Sequence, residues 1–204
     1  MTNYLYQTDL PDDVELGSIV AIDTETMGLN PQRDRLCLVQ LSSGDGNAHL
    51  IQIKQGEHNA PNLCKILADD NVLKLFHYGR FDIAVLLNHF NVLARTVYCT
   101  KIASKLVRTF TDRHGLKNIL SELLSIDISK AQQSTDWGSP LLSEDQISYA
   151  ASDVLYLHSA REELNIRLDR EQRTELAQKC FMFLPYRAQL DLEGWPESDI
   201  FAHS

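Results

Sequence analysis

Residues Ser18–Leu29 read SIVAIDTETMGL, and the way this stretch folds decides the rest. Ile19, Val20, Ala21 and Ile22 form the short apolar run of a strand buried on both faces, after which Asp23-Thr24-Glu25-Thr26 turns abruptly acidic and polar. The strand therefore carries charge to its own C-terminal end. In extended backbone, side chains two apart share a face, so Asp23 and Glu25 aim two carboxylates at one small volume. Two like charges at the edge of a core raise a pKa or collect a cation, and a hard divalent metal with oxygen ligands is the economical answer. The other reading is that the pair caps the turn before Gly28, because acid-x-acid after a strand is a short motif. The stretch alone leaves both open.

Working outward, 204 residues at 44% hydrophobic and 23% charged content suit one full domain with a sizeable core. No window approaches the ~18 consecutive apolar residues of a membrane span, so no membrane partner is expected. The N-terminal MTNYLYQTDLPDD lacks a basic stretch followed by an apolar one, so neither a signal peptide nor an anchor is expected. Cys37, Cys64, Cys99 and Cys180 are scattered without a C-x-x-C pair, arguing against a zinc knuckle and for reduced, mostly buried thiols in a cytoplasmic protein. A net charge of -9 argues against a grip on long nucleic acid through its phosphates. Locally the sign reverses: Lys101, Lys105, Arg108, Arg113 and Lys117 face one acid, Asp112, with His114 among them. Such a patch suits a short anionic ligand, or is a solvated helix face.

In chain order, Arg35 to Ser43 alternates as a second strand, Ser43-Gly44-Asp45-Gly46 supplies tight-turn chemistry, and Ala48 to Ile53 is a third strand, together an antiparallel meander. Pro61 opens a helix through Leu67, and Val72 to Phe76 is a short buried strand ending at His77. HYGRFDIAVLLNHF, residues 77–90, then switches to helical periodicity, with Gly79 at the junction and Asp82 in the first turn, where an acid also complements the helix dipole. Val97-Tyr98-Cys99 is a fifth strand, followed by helices over Lys101–Arg108 and Leu116–Leu124. Ile128 to Leu142 is irregular, a length of loop that inside a compact domain is usually functional. Ser143 and Gln146 form a capping pattern for one helix over Glu144–Leu164, on which Tyr149 and Asp153 share a face. A last helix runs from Glu171 to about Leu184, and residues 185–204 read as a tail.

Four acids thus stand in order, Asp23, Glu25, Asp82 and Asp153, with Tyr149 one turn before the last. On IAIDTETMGL, HYGRFDIAVL and YAASDVLYL the chain resembles the DEDD superfamily of 3′-to-5′ exonucleases, in the tyrosine-bearing branch with ribonuclease D. CTKIASKLVRTFTDRHGLKNIL and LDLEGWPESDIFAHS further resemble the nanoRNase C group, small members that remove diribonucleotides such as pGpG and assemble as a ring-like, octameric homo-oligomer. The resemblance implies a ribonuclease H-like α/β fold, a mixed five-stranded sheet flanked by helices, as a single domain over residues 1–204. It implies no additional helical domain, and a tail docking at a subunit interface.

It also implies two divalent cations, Mg²⁺ or Mn²⁺, with Asp23 bridging both, Glu25 and Asp153 completing one site and Asp82 serving the other. Tyr149, with an ordinary pKa near 10, is then a group that orients the attacking water rather than its base. Met27 and Leu29 are candidates to wedge between the two bases of a dinucleotide, with core packing the alternative for Leu29. His77, Lys101, Arg108, Arg113 and His114 complete the candidate substrate contacts, the last four by charge. Competing expectations are a ribonuclease D-like enzyme trimming longer RNA or DNA, a metallohydrolase of small phosphoesters, and an inactive nucleic-acid binding module.

Overall fold

The structure, a computed structural model, describes residues 2–129 and 131–203; Met1, Lys130 of the long loop and Ser204 of the tail lie outside the described residues. Strand β1 (Asn3–Gln7) precedes β2 (Ile19–Thr26), β3 (Leu36–Ser42) and β4 (Ala48–Gln52). Helix α1 (Pro61–Ala68), β5 (Leu73–Phe76), α2 (Arg80–Phe90), β6 (Val97–Cys99), α3 (Thr100–Val107) and α4 (Leu116–Leu124) follow. The chain closes with α5 (Glu144–Leu155), α6 (Leu157–Arg170) and α7 (Thr174–Leu192).

Val20, Ala21 and Ile22 are fully buried, as a strand covered on both faces requires, and β2 sits inside the sheet order β1-β4-β3-β2-β5-β6. The expected meander is present: β2 pairs antiparallel with β3, and β3 with β4, while β5 and β6 add in parallel. The mixed α/β fold is the expected one, with six strands rather than five. The sixth, β1, pairs parallel with β4 at the sheet edge, and Tyr4 and Leu5 stay exposed. A strand paired on one side lacks the apolar run that marks a central one.

Two helix expectations change. The stretch from Glu144 to Leu164 is two helices, broken at Tyr156, because α5 packs on β2, β3 and β4 whereas α6 packs on α3 and α4. His158, just past the break, bonds to the Ile19 carbonyl at 3.1 Å. The last helix runs on through a buried Pro185 to Leu192, so the first eight residues of the expected tail are helical. Proline costs a helix one internal hydrogen bond, and here burial of its ring and of Leu184 and Ala188 offsets the loss. Among the described residues no helix is long and apolar enough to cross a membrane.

Candidate active site

Strand β2 extends past its apolar run, so Asp23 and Glu25 are strand residues, opposite Gln40 and Leu38 of β3. The register shifts between Glu25 and Thr26, a bulge that ends the pairing beside the acids. Thr24, between them, donates its hydroxyl to Asp82 Oδ1 at 2.7 Å, tying the first turn of α2 to the strand. The Gln40 amide reaches toward Asp23 Oδ2 at 3.5 Å.

Helix α5 supplies the other flank. Its start is fixed by the expected capping box: Gln146 N–H donates to Ser143 Oγ at 3.2 Å, and Ser143 N–H to Gln146 Oε1 at 3.0 Å. One turn on, the Tyr149 hydroxyl is hydrogen-bonded to Asp153. The buried Trp137, from the irregular loop, packs against Tyr149 with ring centroids 6.0 Å apart. Oxygens of Asp23, Glu25 and Asp153 all lie within 4.8 Å of one another. Asp82 stands outside that close group, buried and held by Thr24.

Packing like charges this way shows in their titration. Burial pushes Asp23 well above the usual carboxylate range, and Asp82, Asp153 and Glu25 push it further. Glu25 rises to about 9 by burial and then by Asp153 and Asp82. Asp82 rises to about 7 through burial, with the Thr24 hydroxyl working against the shift. Tyr149 is raised by burial and then by Asp153, Glu25 and Asp23, so its phenol keeps its proton at neutral pH. Three close oxygen ligands of negative character fit a hard divalent cation, and an ion there would reverse the cause of these shifts.

The acids and Tyr149 open into a cavity of about 660 Å³ that Met27, Leu29, His77 and Lys101 also line. Leu29 is 89% exposed, which rules out packing in the core of this chain and leaves its side chain at the cavity mouth. A Cβ on Gly28, between the two apolar residues, would fall 2.2 Å from the Asp34 carboxylate, so a side chain there requires Asp34 to move. His77 Nδ1 pairs with Thr100 Oγ1 at 2.9 Å, and Lys101 Nζ lies 4.1 Å from the centroid of the Tyr78 ring.

Three candidates are elsewhere. Arg108 is buried at 1% exposure, with its guanidinium bonded to Glu122, Ser104 Oγ and the Arg113 carbonyl. His114 Nδ1 is engaged by Ser104 Oγ at 2.9 Å, and the exposed Arg113 side chain does not line the cavity. Counting charges placed them in the candidate set, and tertiary packing turns two of them inward. Lys117, counted in the basic patch, also lines the cavity; sequence reasoning missed Thr24 and Gln40 as groups that hold acids, and Tyr78, Gln133 and Thr135 as lining. The β2–β3 register, which sets Gln40 opposite Asp23, was the available signal for Gln40, whereas Thr24 reaches across to Asp82 of α2.

Comparison with known proteins follows the same lines. The profile of a family described as 3′-5′ exonuclease matches residues 8–169. Ribonuclease D of Gluconacetobacter diazotrophicus is 36% identical over 76% of this chain and 39% of its own length, so the chain spans about two-fifths of such curated relatives. A structure of Brucella melitensis NrnC bound to pGG superposes with a TM-score of 0.97 at 58% identity, covering 100% of both chains. One of Brucella melitensis NrnC with bound Mg²⁺ gives 0.96 at 57% identity, again over 100% of both.

Proposed function

The chain belongs to the 3′-5′ exonuclease family, and on that premise we propose that it hydrolyses very short RNA, diribonucleotides such as pGpG, to nucleoside 5′-monophosphates. The observation that carries the reading is the convergence of Asp23, Glu25 and Asp153 within 4.8 Å beside a cavity with an apolar residue at its mouth. Full-length similarity to a protein solved with pGG supports the short substrate.

Asp23, Glu25 and Asp153 would hold one divalent cation, Mg²⁺ or Mn²⁺, and Asp23 with Asp82 a second. Bound divalent cations supply a nucleophile at neutral pH and neutralise charge developing on a phosphoryl group. The side chains do the rest. Tyr149, protonated and bonded to Asp153, orients the attacking water and takes no proton from it. Thr24 holds Asp82 in place, and Lys101 offers positive charge to a phosphate on the cavity wall. Leu29 inserts between the two bases, which puts the linking phosphate against the acids.

We also propose a homo-oligomer, ring-like and octameric. Its support in this chain is the exposed apolar side chains that α7 and the tail carry, Leu176, Met182, Tyr186, Ile200 and Phe201. A reducing, cytoplasmic setting is proposed on four free cysteines.

The testing experiment is a time course with 5′-labelled RNAs of two, three and seven nucleotides in Mg²⁺. The proposal expects rapid loss of the dinucleotide and slow attack on the heptamer. Equal turnover of all three indicates instead a general enzyme of the ribonuclease D kind, and no Mg²⁺-dependent cleavage an inactive binding module.

A further inference from the structure

Beside the carboxylate cavity lies a second of about 360 Å³, and the two share Leu29, Tyr78 and Phe81. Part of its wall is the C-terminal segment, through Asp191, Pro196 and Glu197. That wall is fastened by its own subunit. Arg80, first residue of α2 and two before Asp82, donates Nε and Nη2 to the two Asp191 oxygens at 2.6 and 2.7 Å, and Nη2 also to the Pro196 carbonyl. Arg187 bonds to Asp191 Oδ1 at 2.9 Å and to the carbonyls of Trp195 and Pro196 at 2.7 and 3.1 Å. Gln32, from the loop after Leu29, donates to the Leu192 carbonyl.

The latch is built against local preference. An acid in the last turn of a helix opposes the helix dipole, yet Asp191 is there and only 8% exposed. Two arginines hold it, one of them bidentate, the arrangement that fixes orientation as well as charge. The tail backbone is thus pinned while Ile200 and Phe201 remain exposed. A cavity of this size suits one small ligand, and the C-terminal segment stands along part of its wall, beside Leu29.

We infer that Arg80 is a positioning residue that limits substrate length: by way of Asp191 and Pro196 it holds the C-terminal segment as a wall past Leu29, where a longer RNA needs to pass. The inference rests on the short-RNA reading above. It differs from a direct role of Arg80 in gripping substrate, which would weaken short and long RNA alike.

The test uses full-length protein, Arg80→Ala, Arg80→Lys and a chain ending at Glu193, each checked for folding by thermal melting and for assembly by light scattering. The reading is the ratio of kcat/KM for a dinucleotide to that for a heptanucleotide. The wall predicts that Arg80→Ala and the truncation lower the ratio by about tenfold, the scale of one contact in a specificity pocket, chiefly by lowering KM for the heptamer. Arg80→Lys, which keeps charge without the fork, falls between. The truncation keeps Arg80 and Asp191, so it tests the wall even if Arg80→Ala fails to fold. A wild-type preference that stays unchanged in every folded variant overturns the wall alone. A wild-type ratio near one overturns the short-RNA reading together with it.

Discussion

Arg108 and Asp82 are buried to a similar degree, at 1% and 3% exposure, and the protein treats them in opposite ways. The guanidinium of Arg108 is used up: Glu122 accepts from Nε and Nη2, and Ser104 Oγ and the Arg113 carbonyl accept from Nη1. Asp82 belongs to a group of acids whose titration is pushed up by burial and by one another. Burial with complete pairing makes a brace. Burial of like charges makes a place where bound protons or a cation restore balance.

Substituting both sides of this contrast separates them. Asp23→Asn should lower dinucleotide turnover on the order of 10³-fold, the scale of losing an aligned electrostatic group, while raising the melting temperature of the cation-free protein by removing one like charge. A variant that loses activity and stability together would show that Asp23 is a brace as well. Arg108→Ala should do the reverse, losing about 3 kcal/mol because Glu122 and two acceptors lose their partner, with KM unchanged in the folded fraction. Urea melts and steady-state kinetics on the same samples decide.

Two pairings were legible in sequence because their geometry is local: Asp23 with Glu25, two apart in a strand, and Tyr149 with Asp153, four apart in a helix whose start Ser143 and Gln146 set. That these pairs meet across the fold, with Asp82 nearby, was implied by the resemblance of the three motifs rather than by spacing. Arg108 was not legible, since its partner Glu122 comes from another helix and charge counts carry no burial. Gln40 needed the β2–β3 register, Thr24 needed α2 set against β2, and β1 needed its partner β4 before it read as a strand. The tail was legible as apolar, while its fastening depends on Arg80 meeting Asp191 across 111 positions.

Acidity sharpens the contrast further. An ordinary unfolded carboxyl loses its proton near pH 4, but folded Asp82 holds its proton to about 7 and Glu25 to about 9. Between those limits the folded state binds more protons, so stability of the cation-free protein should fall as pH rises from about 4 toward 9. Below pH 4 both states are protonated and the effect vanishes. Saturating Mg²⁺ should flatten the slope, and melts across pH with EDTA or Mg²⁺ would expose a slope indifferent to the ion. The smallest effect concerns Thr24→Val. It removes the hydroxyl that holds Asp82, for a loss of about 1 kcal/mol and about fivefold in turnover. Wild-type kinetics in this variant would mean that packing alone places Asp82.

The most direct test is calorimetric titration of the protein with Mn²⁺ at pH 7.5 in two buffers of different ionisation enthalpy. If the acids form a cation site whose protons are displaced on binding, the apparent heats differ between buffers, protons are released, and Asp23→Asn abolishes the signal. Mn²⁺ binding with no proton release, or binding unchanged in Asp23→Asn, would contradict it.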